Sequence, residues 1–397
     1  MIQTQTVVYL SNAIDEAIKE ERTITSDSPA ATNKVFTLSS AMRGVGIRCI
    51  VLSLGRGRQN GTSIKHAATV RRLEHGLILY ADFWHMPWLT HLISFVSSAW
   101  LLVKLIRRHS TLSILVYNRS YHYLPSLIIA RLLGTRIYLD LEDGYIVEVR
   151  GSMRRLKNSL TRRLFSWLCP HGSMVANSGL AEQLNRPPEM ICYGVVAPST
   201  WPYEKDWCSR RLQVIFGGTL IEEVGCKLLL TAIDILRREY PEVANKIHLV
   251  VTGKGPFARA FSRIANEVPE WLSFKDSIRR VDYLNLLKSS HVGLSLRMSA
   301  YEMSATTFPS KVIEYAEHGL LVLTTHTSDV PSLFGETALY LNYETPKDLA
   351  FLLSNLSERR AELRSMAIAG QNRVLQACSS KIVGKALKTM LFGEQSS

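Results

Sequence analysis

Residues Thr306–Thr325 read TTFPSKVIEYAEHGLLVLTT, and this stretch predicts a short helix, a stop and a strand. Thr306 or Thr307 is a candidate N-cap, and Pro309 suits a first turn, where the missing N–H costs nothing. Phe308, Val312 and Ala316 recur every four residues with Ile313 beside them, a stripe to face a core. Lys311, Glu314 and His318 fall at i, i+3 and i+7 on the other face. Gly319 is placed to end the helix as its C′ residue. LLVLTT follows at once and is apolar on both faces, as a strand of a covered parallel sheet should be.

The same alternation extends in both directions. Upstream lie the strand-like runs LQVIFGG, KIHLVVTG, LSFKD and VGLSLR, with the helix GCKLLLTAIDILRREY after the first. The first half repeats the pattern with TVVYLS, IRCIVLSL, LILYADF, SILVYNRS and TRIYLDLED, separated by helical stretches. Strand, helix, strand predicts a parallel sheet with helices on both faces. Between the halves, STWPYEKDWCSRR is polar and carries a proline and two tryptophans, and reads as a linker. The fold class expected is α/β: two Rossmann-like, doubly wound domains, residues 1–204 and 205–397, facing each other across a cleft.

Composition agrees with two globular domains: 397 residues, 46% hydrophobic and 20% charged, too apolar for a disordered chain. The six cysteines are scattered with no C-x-x-C pair, which suggests a reducing compartment and no structural metal. The start, MIQTQTVVYLSN, lacks the basic head of a secretory leader. Met86–Ile106 is a long apolar stretch, but it holds His91 and Lys104 and is expected to be a helix of an α/β domain rather than a span. The net charge of +13 is uneven, +9 for residues 1–204 and +4 for residues 205–397. A basic first half favours an anionic partner: a membrane surface, a nucleic acid or a phosphorylated substrate.

In doubly wound sheets ligands sit beyond the carboxyl ends of the strands. Gly217 and Gly218 close one predicted strand and precede Thr219, and Gly253 and Gly255 close the next. Glycines there let a ligand approach backbone N–H groups, although a tight turn needs them equally. The start of the helix, at Thr307, Phe308, Pro309 and Ser310, offers free N–H groups and a positive dipole end to a diphosphate. Lys311 would add a point charge, and Glu314, one turn on, would accept hydrogen bonds from ribose hydroxyls. The plainer reading is an amphipathic helix with an exposed Lys–Glu pair.

FGGTL, LVVTGKGP, SFKDSIRRVDYLNLLKSSHVGLSL and FPSKVIEYAEHGLLVLTT, in this order, resemble the C-terminal domain of GT-B glycosyltransferases, particularly the large family 4. The likeness spans Leu212 to Leu356. It implies nucleotide-sugar binding around Gly218, Gly253, Gly255, Lys311 and Glu314, and transfer with retention of configuration. By the resemblance, Glu314 matches the ribose-binding second glutamate of the E-x7-E motif. The first glutamate falls at Thr306, and the basic pair that many members carry falls at Thr219 and Val224. The phosphate charge is then left to Lys311, with Arg297 as a candidate helper. No cofactor and no metal are expected, because the nucleotide-sugar is the donor substrate.

On the acceptor side, YNRSYHY offers Asn118, Arg119 and His122, and LDLEDGY offers Asp140, Glu142 and Asp143. His122 and Asp143 are the candidates for catalysis, and Asn118, Asp140 and Glu142 for holding the acceptor. Capping of the next helix, or pairing with Arg119 or Arg150, would explain the carboxylates as well. Met153, Leu156, Leu160, Leu164 and Trp167 form a stripe flanked by Arg154, Arg155, Lys157, Arg162 and Arg163. Such a basic amphipathic helix can lie on anionic lipid, or pack its stripe inward. The expectation is a cytoplasmic transferase, peripheral on the inner face of a membrane, that moves sugar from a UDP- or GDP-sugar to a glycan or lipid-linked acceptor. A nucleotide-sugar epimerase and a non-catalytic glycan-binding protein are the alternatives. Nucleic acid is not expected as a partner, since no binding motif appears.

Overall fold

A computed structural model describes residues 4–24, 27–54, 65–84, 90–144, 152–196 and 205–393. The chain forms two units, Met1–Ala197 joined by Cys378–Ser397, and Pro198–Ala377.

In the first unit the strands are β1 (Thr6–Ser11), β2 (Arg48–Ser53), β3 (Lys65–His66), β4 (Thr69–Leu73), β5 (Gly76–Tyr80), β6 (Phe83–Trp84), β7 (Leu112–Tyr117), β8 (Arg136–Leu141), β9 (Ser173–Val175) and β10 (Met190–Ile191). The helices between them are α1 (Glu16–Glu21), α2 (Pro29–Gly44), α3 (Thr90–Arg108), α4 (Leu124–Leu132) and α5 (Ser152–Leu168). The main sheet runs β10-β9-β8-β7-β1-β2-β5-β4. The chain therefore winds outward in two directions from the β1–β7 pair. The central strands β1 and β2 are buried on both faces, apart from Arg48. One face packs on α3, α4 and α5 through residues such as Leu102, Leu127 and Phe165. The other packs on α1 and α2 through Ile18, Leu38 and Met42.

β4 is antiparallel to β5 and was not expected, because its TVRRL run alternates half-buried and exposed residues with two arginines. An edge strand tolerates that pattern, whereas a central one does not. Among the described residues no helix is long and apolar enough to cross a membrane.

The second unit contains β11 (Leu212–Thr219), α6 (Cys226–Glu239), α7 (Val243–Lys246), β12 (Ile247–Lys254), α8 (Ala258–Glu267), β13 (Leu272–Lys275), α9 (Arg280–Ser289) and β14 (Val292–Ser295). It continues with α10 (Ser310–Glu317), β15 (Leu321–Thr324), α11 (Val330–Phe334), β16 (Leu339–Tyr340), α12 (Pro346–Asn355) and α13 (Arg360–Cys378). The sheet order β13-β12-β11-β14-β15-β16 is parallel throughout. This is the doubly wound order, and its reversal point lies between β11 and β14.

The structure departs from the sequence reading at the supposed linker and at the far end of the chain. The stretch read as a linker is, from Lys205 on, part of the second unit. Trp207 is buried in its core, with its ring edge-on to His291, while Arg360 donates to the carbonyls of Trp207 and Arg210. Polar composition hid one anchoring indole. At the far end, α14 (Ser380–Phe392) returns to the first unit, where Val383, Leu387 and Leu391 join the core beside α2.

Candidate nucleotide-sugar site

α10 carries the predicted pair to the reversal point of the second sheet. Val312, Ile313 and Ala316 are buried, as is Phe308 just before the helix, so the apolar stripe packs inward. Lys311 and Glu314 keep side chains that are 34% and 18% exposed. Lys311 Nζ lies 2.6 Å from Glu314 Oε2. A Cβ on Gly218 would stand 3.6 Å from Lys311 Cε, so the ammonium stem lies over the glycine turn that ends β11. The glycine turn and the helix meet at the reversal point of the strand order, the place where doubly wound sheets take their ligands.

Two neighbours from α9 complete the cluster. Tyr283 accepts a hydrogen bond from Lys311 Nζ at 2.9 Å and donates one to Glu314 Oε2 at 3.1 Å. Its ring lies beneath the ammonium, 4.5 Å from ring centroid to Nζ, and 3.3 Å from where a Gly217 Cβ would be. Arg280 Nη1 reaches Glu314 Oε1 at 3.2 Å. Two cations and one carboxylate leave the group with a surplus positive charge, which suits an anion. Burial raises the Glu314 carboxyl, but the Lys311 ammonium and Arg280 outweigh it and hold the group below its ordinary value. The Tyr283 hydroxyl is pushed up by burial, with Tyr315 and Glu314 adding to it, and stays a neutral donor.

The start of α10 differs from expectation in its cap. Pro309 itself is the N-cap and no side chain caps the helix. Thr306 is buried in a turn in which its N–H bonds to Met303 O at 3.2 Å. Ser310 is exposed as the first helical residue. At the other end Gly319 (φ +72°) closes the helix as expected, with Gly319 N–H bonded to Ala316 O and Leu320 N–H to Tyr315 O, a Schellman pair. His318 does not share the exposed face. It is buried, with Nδ1 2.8 Å from Glu314 O.

Thr219 is exposed at the tip of β11. Gly253 and Gly255 are explained by the chain itself. A Cβ at Gly253 would lie 1.8 Å from Gly218 O, and one at Gly255 would lie 2.4 Å from Leu220 O, so they let β11 and β12 run on together past the core. Arg297 is held by an ion pair with Glu223, which follows β11, so its charge is already matched. The hydroxyls of Thr307, Thr327 and Ser328, in the loops that precede α10 and follow β15, are buried without a partner. They are groups a ligand or water can satisfy. Tyr283 and Arg280 were missed, because no spacing within α9 points to α10. Tyr315 was missed for a similar reason: it is buried in the slot left by Gly293, and its hydroxyl accepts from Gly217 N–H at 3.3 Å.

The first unit groups its candidates at the carboxyl ends of β7 and β8. Asn118, in the left-handed region (φ +56°), accepts from the N–H groups of Glu142 and Asp143 at 2.8 and 3.2 Å. Its Nδ2 donates to Asp143 Oδ2 at 3.1 Å. Asp143 is exposed. Asp140 is buried with both oxygens taken, Oδ2 by the Tyr9 hydroxyl and Oδ1 by Lys34 Nζ at 2.9 Å. Lys34 also pairs with Glu142. Burial raises the Glu142 carboxyl, Lys34 opposes it and Asp140 adds to it, for a net rise. Burial disfavours the Lys34 charge, yet the two carboxylates more than restore it. The carboxylates' partner is thus Lys34 of α2 rather than Arg119, which instead donates to Gln183 O at 2.6 Å. His122 sits on the α3 side, with Nδ1 2.8 Å from Ser120 Oγ and its ring edge-on to Phe95. Arg150 lies outside the described residues.

Residues 234–383 match the family model described as glycosyl transferase-like. Compared by sequence with curated proteins, the chain matches none. Among solved structures, it superposes on Anabaena HepE in complex with UDP over 98% of this chain and 99% of that one, with TM-score 0.66 and 12% identity. An alpha,alpha-trehalose-phosphate synthase (UDP-forming) from Burkholderia xenovorans, in complex with glucose-6-phosphate, matches over 98% and 99%, with TM-score 0.65 and 11% identity. Sucrose-phosphate synthase from Thermosynechococcus elongatus matches over 97% and 98%, with TM-score 0.63 and 11% identity. The chain has the GT-B fold of these glycosyltransferases over nearly its whole length, and within it a glycosyl transferase-like domain.

Proposed function

We propose that this protein transfers a sugar from a UDP- or GDP-sugar to a glycan or lipid-linked acceptor, with retention of configuration. The observation that carries the reading is the Lys311–Tyr283–Glu314 cluster lying over Gly218 at the reversal point of the second sheet. In the proposed complex the diphosphate meets Lys311 and the N–H groups at the start of α10, and Glu314 turns to the ribose hydroxyls. These groups stabilise the charge that gathers on the leaving diphosphate as the glycosidic bond to it breaks. The UDP bound to HepE makes UDP the first nucleotide to try. Acceptor binding is assigned to the first unit, where Glu142 and Asp143 stand at the end of β8.

Titration calorimetry with UDP and GDP tests the donor site. Lys311→Ala and Glu314→Ala are each expected to weaken nucleotide binding by about tenfold or more, on the order of 1.5–3 kcal/mol for a charge-assisted contact. Unchanged affinity in both variants would reject the assignment. A non-catalytic glycan-binding protein is the second reading, favoured by the buried Thr306 in place of the first motif glutamate. Release of UDP or GDP from a panel of donor sugars in the presence of acceptor decides for the transferase, and intact donors throughout decide for the binding protein.

A further inference from the structure

The helices that cover one face of the first sheet turn apolar stripes toward solvent as well as toward the core. On α3, Leu92, Val96 and Trp100 follow one another every four residues and are each more than half exposed. The same row continues into Lys104, whose Nζ lies 3.2 Å from the centroid of the Trp100 ring. On α4 the outward row is Ile128 and Leu132, the latter 78% exposed. On α5 it is Leu156, Leu160 and Trp167, while Phe165 and Leu168 supply the inward face. The helices are neighbours, α3 packed on α4 and α4 on α5. Tyr121, just before α4, bridges to α5 through Thr161 Oγ1, and its ring lies 5.7 Å from Lys157 Nζ.

Charge decides what covers this face. The three helices hold nine Lys and Arg and no Asp or Glu. Exposed cations, among them Lys104, Arg107, Arg108, Lys157 and Arg163, adjoin the apolar rows. A second copy of the same face would set cation against cation. A nucleic acid would meet the cations but leave the leucines and tryptophans in water. A surface that offers phosphate above hydrocarbon satisfies both sets. We infer that the α3–α4–α5 face docks on an anionic phospholipid bilayer, with the apolar rows in the headgroup region and the cations on lipid phosphates. This inference stands apart from the transferase reading, because none of these residues belongs to the donor site.

Co-sedimentation of the full chain with phosphatidylcholine vesicles, with and without 30% phosphatidylglycerol, tests it. Binding is expected to the anionic vesicles, to fall as salt is raised, and to be far weaker on neutral ones. Each Lys or Arg at such a surface contributes roughly fivefold in affinity. The variant Arg107→Glu/Arg108→Glu/Lys157→Glu/Arg163→Glu should therefore lose at least about a hundredfold. Leu156→Ser/Leu160→Ser/Trp167→Ser should also lose binding, with UDP affinity and thermal midpoint unchanged in both variants. Brominated lipid should quench the fluorescence of Trp100 and Trp167. Absence of binding to anionic vesicles, equal binding to neutral ones, or undiminished binding by the charge-reversed chain would overturn the proposal. So would a stable dimer that the Leu156→Ser/Leu160→Ser/Trp167→Ser change dissolves.

Discussion

Glu317, one turn beyond the Lys311–Glu314 pair, is pushed up to about 7, first by burial and then by the nearby Glu314 carboxylate. A carboxyl with a folded pKa above its ordinary 4.5 favours the folded state while protonated. That contribution is complete below pH 4.5 and is lost as pH rises to about 7. Glu317→Gln is therefore expected to match the native chain at pH 4. It should become more stable by about 1–2 kcal/mol by pH 8, the full shift being discounted for partial solvation. Urea unfolding midpoints across pH 4–8 measure it, and parallel curves for the two proteins would contradict it. At this scale the pairing of Lys311 with Glu314 was legible, because they are neighbours on one helix and spacing alone puts them side by side. Lys34 was not, because its carboxylate partners, Asp140 and Glu142, lie over a hundred residues away.

Among the elements, α10 was the clearest in sequence. Its stripe, its polar pair and Gly319 all point to one helix, and the structure starts it at Ser310. What the stretch concealed was the cap, since threonines just before a proline resemble capping residues whether or not they serve as such. The β11–β12 pair adds a reason that sequence could not show. Glycines at two successive strand ends suggest ligand approach, and Gly253 is also required by the carbonyl of Gly218 across the ladder. Gly253→Ala places a methyl against backbone and also strains a φ of +137°. It is expected to destabilise the second unit by about 3 kcal/mol or more. Gly134→Ala in the first unit, at φ +69° with nothing within 4 Å, should cost only about 1 kcal/mol from the backbone. Chemical denaturation of both variants compares them, and equal losses would show that the close approach is unimportant.

For the whole molecule, the return of α14 to the first unit makes the chain's last turns part of the core built by its first strands. Leu387 is fully buried there, and Ser113 on β7 donates to Leu391 O at 2.9 Å. Leu387→Ala should cost about 2–5 kcal/mol. The loss should appear as faster hydrogen exchange in β1 and β2, with β11 and β12 unchanged, and uniform acceleration in both units would refute the division. Local sequence was enough to determined the alternation of strands and helices, the central strands and the helix bearing Lys311 and Glu314, because apolar periodicity and stop signals act within a few residues. Tertiary structure alone decided that Trp207 anchors the supposed linker, that α14 belongs with β1, and that Tyr283, Arg280 and Lys34 join the charged clusters. Those contacts hold together residues with no regular spacing in the chain, and only the packing of whole helices on whole sheets brings their side chains within bonding distance.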